Sequence, residues 1–442
     1  MDEALTTLKA RACFDGAPPL YLVAESLDAS TALKDARIDG SNRNLEPNGT
    51  ELKLKGAARD ACLSYTVDIS PAAARHERGG NLSGRVGDDL VVDVGRWFWR
   101  PDTLAADEDI WLEFVLPKGI AISSPWKHDE GAASASFRAG HTPADWPAVV
   151  AFGRFKEHVI DVPGAILRVA VLGVTPKIDA AQIAEWVRNA ALGVTTVHGK
   201  FPVPQARVLV VPNAHGTEPV PWAFVQRGGG PSAQFLINHR LPAGDFLSDW
   251  TLFHELAHLL LPYIGSSDAW LSEGVASYYQ NLLRARRGVI TPLDAWQRLH
   301  AGFARGRKSQ IGTTLADATE RMYRNAGFMR VYWQGAAIAL LADYRLRVEG
   351  RHSLDSALAG LAQCCLPSDR TWSGREVLER LDAITGTTVF TDLYGQYIRS
   401  EAFPDLTEVY EGLGLQVRDR EVRFAEGSPH TALRDAMMRA QP

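Results

Sequence analysis

The segment that most limits what this chain can become is Phe253-His254-Glu255-Leu256-Ala257-His258-Leu259-Leu260-Leu261. Its two histidines are four positions apart, so on an α-helix they stand one turn apart on the same face and can reach a single ion. Glu255 projects about 100° round from His254, beside such an ion rather than onto it. Trp250, Leu252, Phe253, Leu256, Leu259, Leu260 and Leu261 are apolar nearly all round, so the helix is expected to be buried, with Pro262 closing it. Two imidazoles and a carboxylate buried there need partners. One zinc ion and a water supply them, with Glu255 placed as general base toward the water. The competing reading is an accidental HExxH string whose histidines are hydrogen-bonded core residues, and the residues downstream weigh against it.

Catalytic zinc sites usually take three protein ligands. The next apolar block, Trp270-Leu271-Ser272-Glu273-Gly274-Val275-Ala276-Ser277-Tyr278-Tyr279-Gln280, reads as a buried helix, a costly place for an unpaired Glu273. Metal ligation removes that cost. The turn residues of Tyr263-Ile264-Gly265-Ser266-Ser267-Asp268 let this helix fold back antiparallel and present Glu273 to the histidines. Ser277, one turn after Glu273, is either a donor that orients a ligand or a small residue at a helix contact.

HExxH followed by W-x-x-E-G and an aromatic pair resembles the gluzincin metallopeptidases, above all the M1 and M61 families of aminopeptidases, the latter including glycyl aminopeptidases. The resemblance implies that His254, His258 and Glu273 bind one zinc ion per chain and that Glu255 is the general base. Tyr332-Trp333-Gln334-Gly335 is similar to the Y-x-K-G helix of these families, which implies that Tyr332 donates to the oxyanion. Two departures are visible: Gln334 stands where lysine is usual, and the stretch between His258 and Glu273 is shorter than is usual in the M1 family. A third concerns the glycine-rich strand whose glutamate holds the substrate amine in M1 enzymes. Here Arg227-Gly228-Gly229-Gly230-Pro231-Ser232 has no acid, although Gly229 and Gly230 allow backbone groups to line a substrate.

The implied function is zinc-dependent peptide hydrolysis of the aminopeptidase kind. An endopeptidase or oligopeptidase with the same site, and a catalytically silent metal-containing binding protein, are the alternatives. The expected partner is a peptide or protein substrate. A net charge of −5 and only short arginine clusters, at 284–287 and 305–308, speak against a nucleic-acid surface. No apolar run is long enough for a transmembrane helix. The N-terminus lacks the basic and apolar regions of an intact secretory leader, so the chain does not read as an intact secretory precursor; the compartment is left open, with an extracytoplasmic chain whose signal has been removed slightly favoured over a cytoplasmic one. Cys13 and Cys62 could pair within one β region, while separate buried thiols are the expected state of the four cysteines.

The organisation reads as multidomain α+β. Short alternating strands through residue 162, such as 20–24, 51–55, 63–67, 90–94 and 110–115, suggest a β-sandwich. Residues 163–262, with strands at 166–171 and 206–212 and a helix from 178 to 197, suit the sheet-bearing lobe of a thermolysin-like α/β catalytic domain that includes the HExxH helix. Residues 263–442 form a helical lobe carrying Glu273 and Tyr332, with helix starts at Thr291-Pro292 and Ser353. Trp97-Phe98-Trp99-Arg100-Pro101 is expected to pack aromatic area against the next domain.

Overall fold

The computed structural model of the chain describes residues 1–41, 43–70, 83–105, 108–129, 135–143, 145–173, 178–214, 216–309, 311–324 and 327–440. The chain forms two compact units: Met1–Val159 with Leu167–Ile183 and Gln205–Leu241, and Ile160–Ile166 with Ala184–Pro204 and Pro242–Pro442.

In the first unit, strand Cys62–Asp68 lies between Thr7–Cys13 and Leu33–Ile38 in an antiparallel sheet. Its period-two pattern turns Leu63, Tyr65 and Val67 inward. Further small sheets pair Gly84–Val86, Asp89–Asp93, Val149–Gly153 and Ala121–Ser123, then Lys127–His128, Ser136–Ala139 and Ile110–Glu113, and finally Tyr21–Val23 with Glu51–Lys53. Trp97, Phe98 and Trp99 belong to this unit's own core, where the rings of Trp97 and Phe98 pack against Trp126. The expectation that they cover a neighbouring domain missed how much aromatic area these small sheets need to close a core.

A five-stranded mixed sheet follows, in the order Glu157–Val162, Ala165–Val171, Gln205–Asn213, Ser232–Asn238, Trp222–Gln226. Strands 205–213 and 232–238 are parallel, and 222–226 is an antiparallel edge. Helix Ala180–Thr195 precedes the third strand in sequence, started by Asp179, whose Oδ1 accepts from the Ala181 amide at 2.9 Å.

The second unit is mostly helical: Thr251–Ala257, Ala269–Arg286, Pro292–Lys308, Phe328–Val348, Leu354–Cys365, Gly374–Thr385 and Val389–Tyr397. Thr291 with Asp294 and Ser353 with Ser356 form reciprocal caps, and Pro292 occupies the first turn where its missing N–H costs nothing. Beneath the helix Ala269–Arg286, hereafter the ligand helix, lies a buried polar network. Tyr278 donates to Asp343 at 2.7 Å and Tyr279 to Asp355 at 2.8 Å. Arg286 and Arg347 pair with Asp355 at 2.9 and 3.1 Å, and Arg347 also reaches Asp343 at 2.8 Å. Burial and the nearby aspartates push both phenols well above the ordinary tyrosine range, so each remains a donor. Among the described residues no helix is long and apolar enough to cross a membrane.

All four cysteines are paired. Strand register sets Cys13 directly opposite Cys62, with Cα atoms 4.0 Å apart, and Cys364 is joined to its neighbour Cys365 at the end of their helix. The expectation of separate thiols is thereby corrected. Register between strands far apart in sequence is not visible in composition.

Candidate active site

His254 lies within the helix Thr251–Ala257, and His258 follows on a 3-10 turn, His258–Leu260. The helix therefore ends sooner than its apolar pattern suggests. Pro262 disfavours helical backbone at the residue before it, and Leu261 is extended, at φ −119° and ψ 153°. His258 keeps right-handed helical angles, φ −56° and ψ −26°, so the same-face relation survives, with the two rings 4.9 Å apart. Leu252, Phe253, Leu256, Leu259, Leu260 and Leu261 are buried as expected, whereas Trp250 is 39% exposed and stands edge-on to His254 at 5.4 Å. It sits at the helix start, where one side faces solvent.

The ligand helix brings Glu273 to both histidines. One donor atom from each of His254, His258 and Glu273 lies within 4.8 Å of the other two. His254 Nε2 is 3.2 Å from Glu273 Oε2, and His258 Nε2 is 3.6 Å from the same oxygen. Donors held about 2.0–2.2 Å from a tetrahedral zinc stand about 3.3 Å from one another, so this donor set fits that ion in type and spacing. The far side of each ring is also held. His254 Nδ1 is 2.8 Å from Gln280 Oε1, and His258 Nδ1 is 2.9 Å from Ser272 Oγ. With Nδ1–H donating in each case, Nε2 of both rings is the nitrogen that faces Glu273, and His254 Nε2 lies within hydrogen-bond distance of its Oε2.

Sequence reasoning missed both of these orienting residues. Gln280 lies seven positions after Glu273, two turns on along the same face, a spacing that could have revealed it. Ser272 is the residue before Glu273. Ser277 is buried and makes no hydrogen bond to the three donor atoms among the described residues.

Glu255 is buried beside this cluster, and its carboxylate has no hydrogen bond or ion pair among the described residues. Burial pushes its carboxyl up to about 7, His254 pulls it down, and Glu273 adds to the rise. Burial acts to lower His254 but is outweighed by Glu273, Glu255 and Gln280, so the imidazole is raised. Burial acts to raise Glu273, and His258, His254 and Tyr332 outweigh it, so this carboxylate is lowered.

Tyr332 comes from the helix Phe328–Val348. Its ring stacks on His254 with centroids 5.7 Å apart and planes 17° from parallel, and its phenol interacts with Glu273. Burial, then Glu273 and Glu255, push the phenol far above the ordinary tyrosine range, so it stays protonated and can donate. Phe328 supports the ring edge-on at 6.1 Å. Four of the residues singled out in the sequence as chemically active, His254, Glu255, His258 and Glu273, thus gather with Tyr332. Gly229 and Gly230 belong to the other unit. They form the turn before strand Ser232–Asn238, where Gly229 donates its amide to Thr142 Oγ1 at 2.8 Å. At φ +71° and +149° they pack against Trp126 and Pro125 so closely that no side chain fits.

No protein-family model matches this chain. No curated protein matches it either. Solved structures do. An aminopeptidase N family protein from Idiomarina loihiensis aligns with a TM-score of 0.69 at 14% identity, covering 97% of this chain and 81% of that one. The M1 zinc metallopeptidase from Deinococcus radiodurans aligns with a TM-score of 0.54 at 16% identity over 90% of each chain. A point mutant of the Deinococcus enzyme bound to a Tyr-Ser-Ala substrate aligns with a TM-score of 0.51 at 15% identity, covering 91% of this chain and 92% of that one. The M61 part of the resemblance rests on the sequence motifs alone. In fold, the chain is similar to the M1 zinc metallopeptidases and the aminopeptidase N family.

Proposed function

We propose that this chain is a zinc-dependent peptidase. The observation that carries the reading is the convergence of His254, His258 and Glu273, with the Glu255 carboxylate, unpaired among the described residues, beside them and the Tyr332 ring over His254. His254, His258 and Glu273 would hold the ion, their rings oriented by Gln280 and Ser272. Bound there, zinc supplies Lewis acidity toward a carbonyl and makes water more acidic.

Glu255 accepts the proton of the attacking water and passes it to the leaving amine, a task suited to a buried carboxylate with no competing hydrogen bond among the described residues. Tyr332 donates to the carbonyl oxygen as negative charge develops on it. The intact Glu255 also speaks against a silent binding protein, since a purely structural ion needs no base.

The preferred substrate is a peptide with a free amino terminus, supported by likeness to an aminopeptidase N family fold and to a structure holding Tyr-Ser-Ala. The acid-free segment from Arg227 to Ser232 supports the second reading, cleavage within longer or blocked peptides. Both disulfides support a working place in an oxidising compartment.

The deciding experiment compares fluorogenic aminoacyl substrates with N-blocked peptides, using protein whose zinc has been measured. Cleavage of free-amine substrates alone supports the aminopeptidase, and cleavage of blocked ones the endopeptidase. Zinc-loaded protein that cleaves neither overturns the peptidase reading.

A further inference from the structure

We propose that the first unit carries a recognition site for a primary ammonium group, with Glu25 as its anion. Glu25 follows strand Tyr21–Val23 and lines a recess with Phe98, Arg100, Trp126, Trp146 and Gly229. The chain leading into Glu25 is held, since Val23 and Arg100 exchange amide hydrogen bonds of 2.7 and 3.0 Å. Its side chain lies hard against Gly95, where an added Cβ would fall 2.6 Å from Glu25 Oε2. The carboxylate itself has no hydrogen bond and no ion pair among the described residues.

The nearest cation does not answer it. Arg100 donates through Nη2 to the Thr142 carbonyl at 2.8 Å and does not come within ion-pair distance of Glu25. Asp93 is engaged with the Gly95 amide at 2.8 Å, and it and Asp145 add negative charge around the recess. A half-buried carboxylate left in that state costs free energy that a cationic ligand would recover. The walls suit such a ligand. Phe98 and Trp126, held against each other with centroids 5.6 Å apart, line the recess with aromatic surface, which attracts a cation. The free space holds only a few heavy atoms, which favours a compact ammonium over a planar guanidinium. Anions are repelled by Asp93 and Asp145, and a neutral group brings no counter-charge to draw Glu25 into its anionic form.

A peptide's α-amino group and a lysine ε-amino group share this chemistry. The full chain is titrated calorimetrically with alaninamide, with Nα-acetyl-lysine amide and with neutral lactamide, and the same is done with Glu25→Gln. The expected result is saturable binding of at least one ammonium probe, at least tenfold weaker in Glu25→Gln, with no binding of lactamide. Preference for the first or second probe identifies the source of the amine. Glu25→Asp, which keeps the charge but shortens its reach, should fall between the two and serves if Glu25→Gln melts early. No saturable binding of either amine, equal binding by Glu25→Gln, or equal binding of lactamide overturns the proposal. It does not depend on the peptidase reading, because binding is measured without turnover.

Discussion

Gly274 and Gly335 touch backbone to backbone where the ligand helix crosses the helix Phe328–Val348. A Cβ on Gly335 would lie 2.8 Å from the Gly274 Cα and would run into the Trp270 carbonyl. Glu273 immediately precedes one glycine, and Tyr332 lies three residues before the other. The close crossing is therefore what lets the phenol reach the carboxylate. In Gly335→Ala the helices must separate, and the expected cost is about 1–3 kcal/mol together with a fall in turnover. Thermal melts and kcat check this. An unchanged melt would mean that the crossing has slack and does not set the site.

Glu255→Gln keeps the shape of the side chain and removes its ability to take a proton. Turnover is expected to fall by about 10²–10⁴-fold with zinc content unchanged, because the cluster of His254, His258 and Glu273 does not include Glu255. Metal analysis beside kcat separates the two effects. Normal turnover by this variant would remove Glu255 from the role of base.

Gln280→Ala leaves His254 Nδ1 without its partner at 2.8 Å. The ring loses the contact that fixes its orientation, and zinc affinity is expected to drop by about 10–100-fold. Competition with a chelator of known affinity measures this. Activity should return when zinc is added in excess, which a mutation that simply unfolds the helix would not allow.

Much of this cluster was legible in the chain, for local reasons. His254, Glu255 and His258 announce themselves because four positions make one helical turn, and Glu273 because an acid in an apolar helix needs an explanation. Tyr332 carries no such signature, and only its likeness to a known motif drew attention to it. Gln280 and Ser272 went unseen because polar residues on a helix are ordinary until their facing partners are known. The α-helix ends at Ala257 and gives way to the 3-10 turn His258–Leu260, while Pro262 acts only on Leu261, the extended residue before it. Glu25 lies in a turn with no periodic signal, and its isolation is a property of the folded surroundings alone.

Asp355 tests what holds the ligand helix in place. Its carboxylate takes Tyr279 at 2.8 Å, Arg286 at 2.9 Å and Arg347 at 3.1 Å, all out of solvent. Asp355→Ala takes the carboxylate from Arg286 and the acceptor from the Tyr279 phenol, and leaves Arg347 with Asp343 alone, and the expected destabilisation is about 3–5 kcal/mol. Denaturant unfolding would show it. A loss below about 1 kcal/mol would place this network with solvent-screened surface pairs.

Glu25 gives a pH dependence whose sign follows from its surroundings. Burial, then Asp93 and Asp145, push its carboxyl up from 4.5 to about 8, against the pull of Arg100. Between those values the folded chain keeps a proton that the unfolded chain has released, so stability falls as pH rises. This contribution is fully present below the unfolded value and lost once pH passes about 8. Glu25→Gln removes the titration. The variant should match the parent near pH 5 and exceed it near pH 8 by about 1–2 kcal/mol, less than the full shift implies because solvent reaches the carboxyl. Denaturant melts at the two pH values read the difference directly, and a gap that does not widen with pH would mean that Glu25 is already ionised and paired in the folded chain.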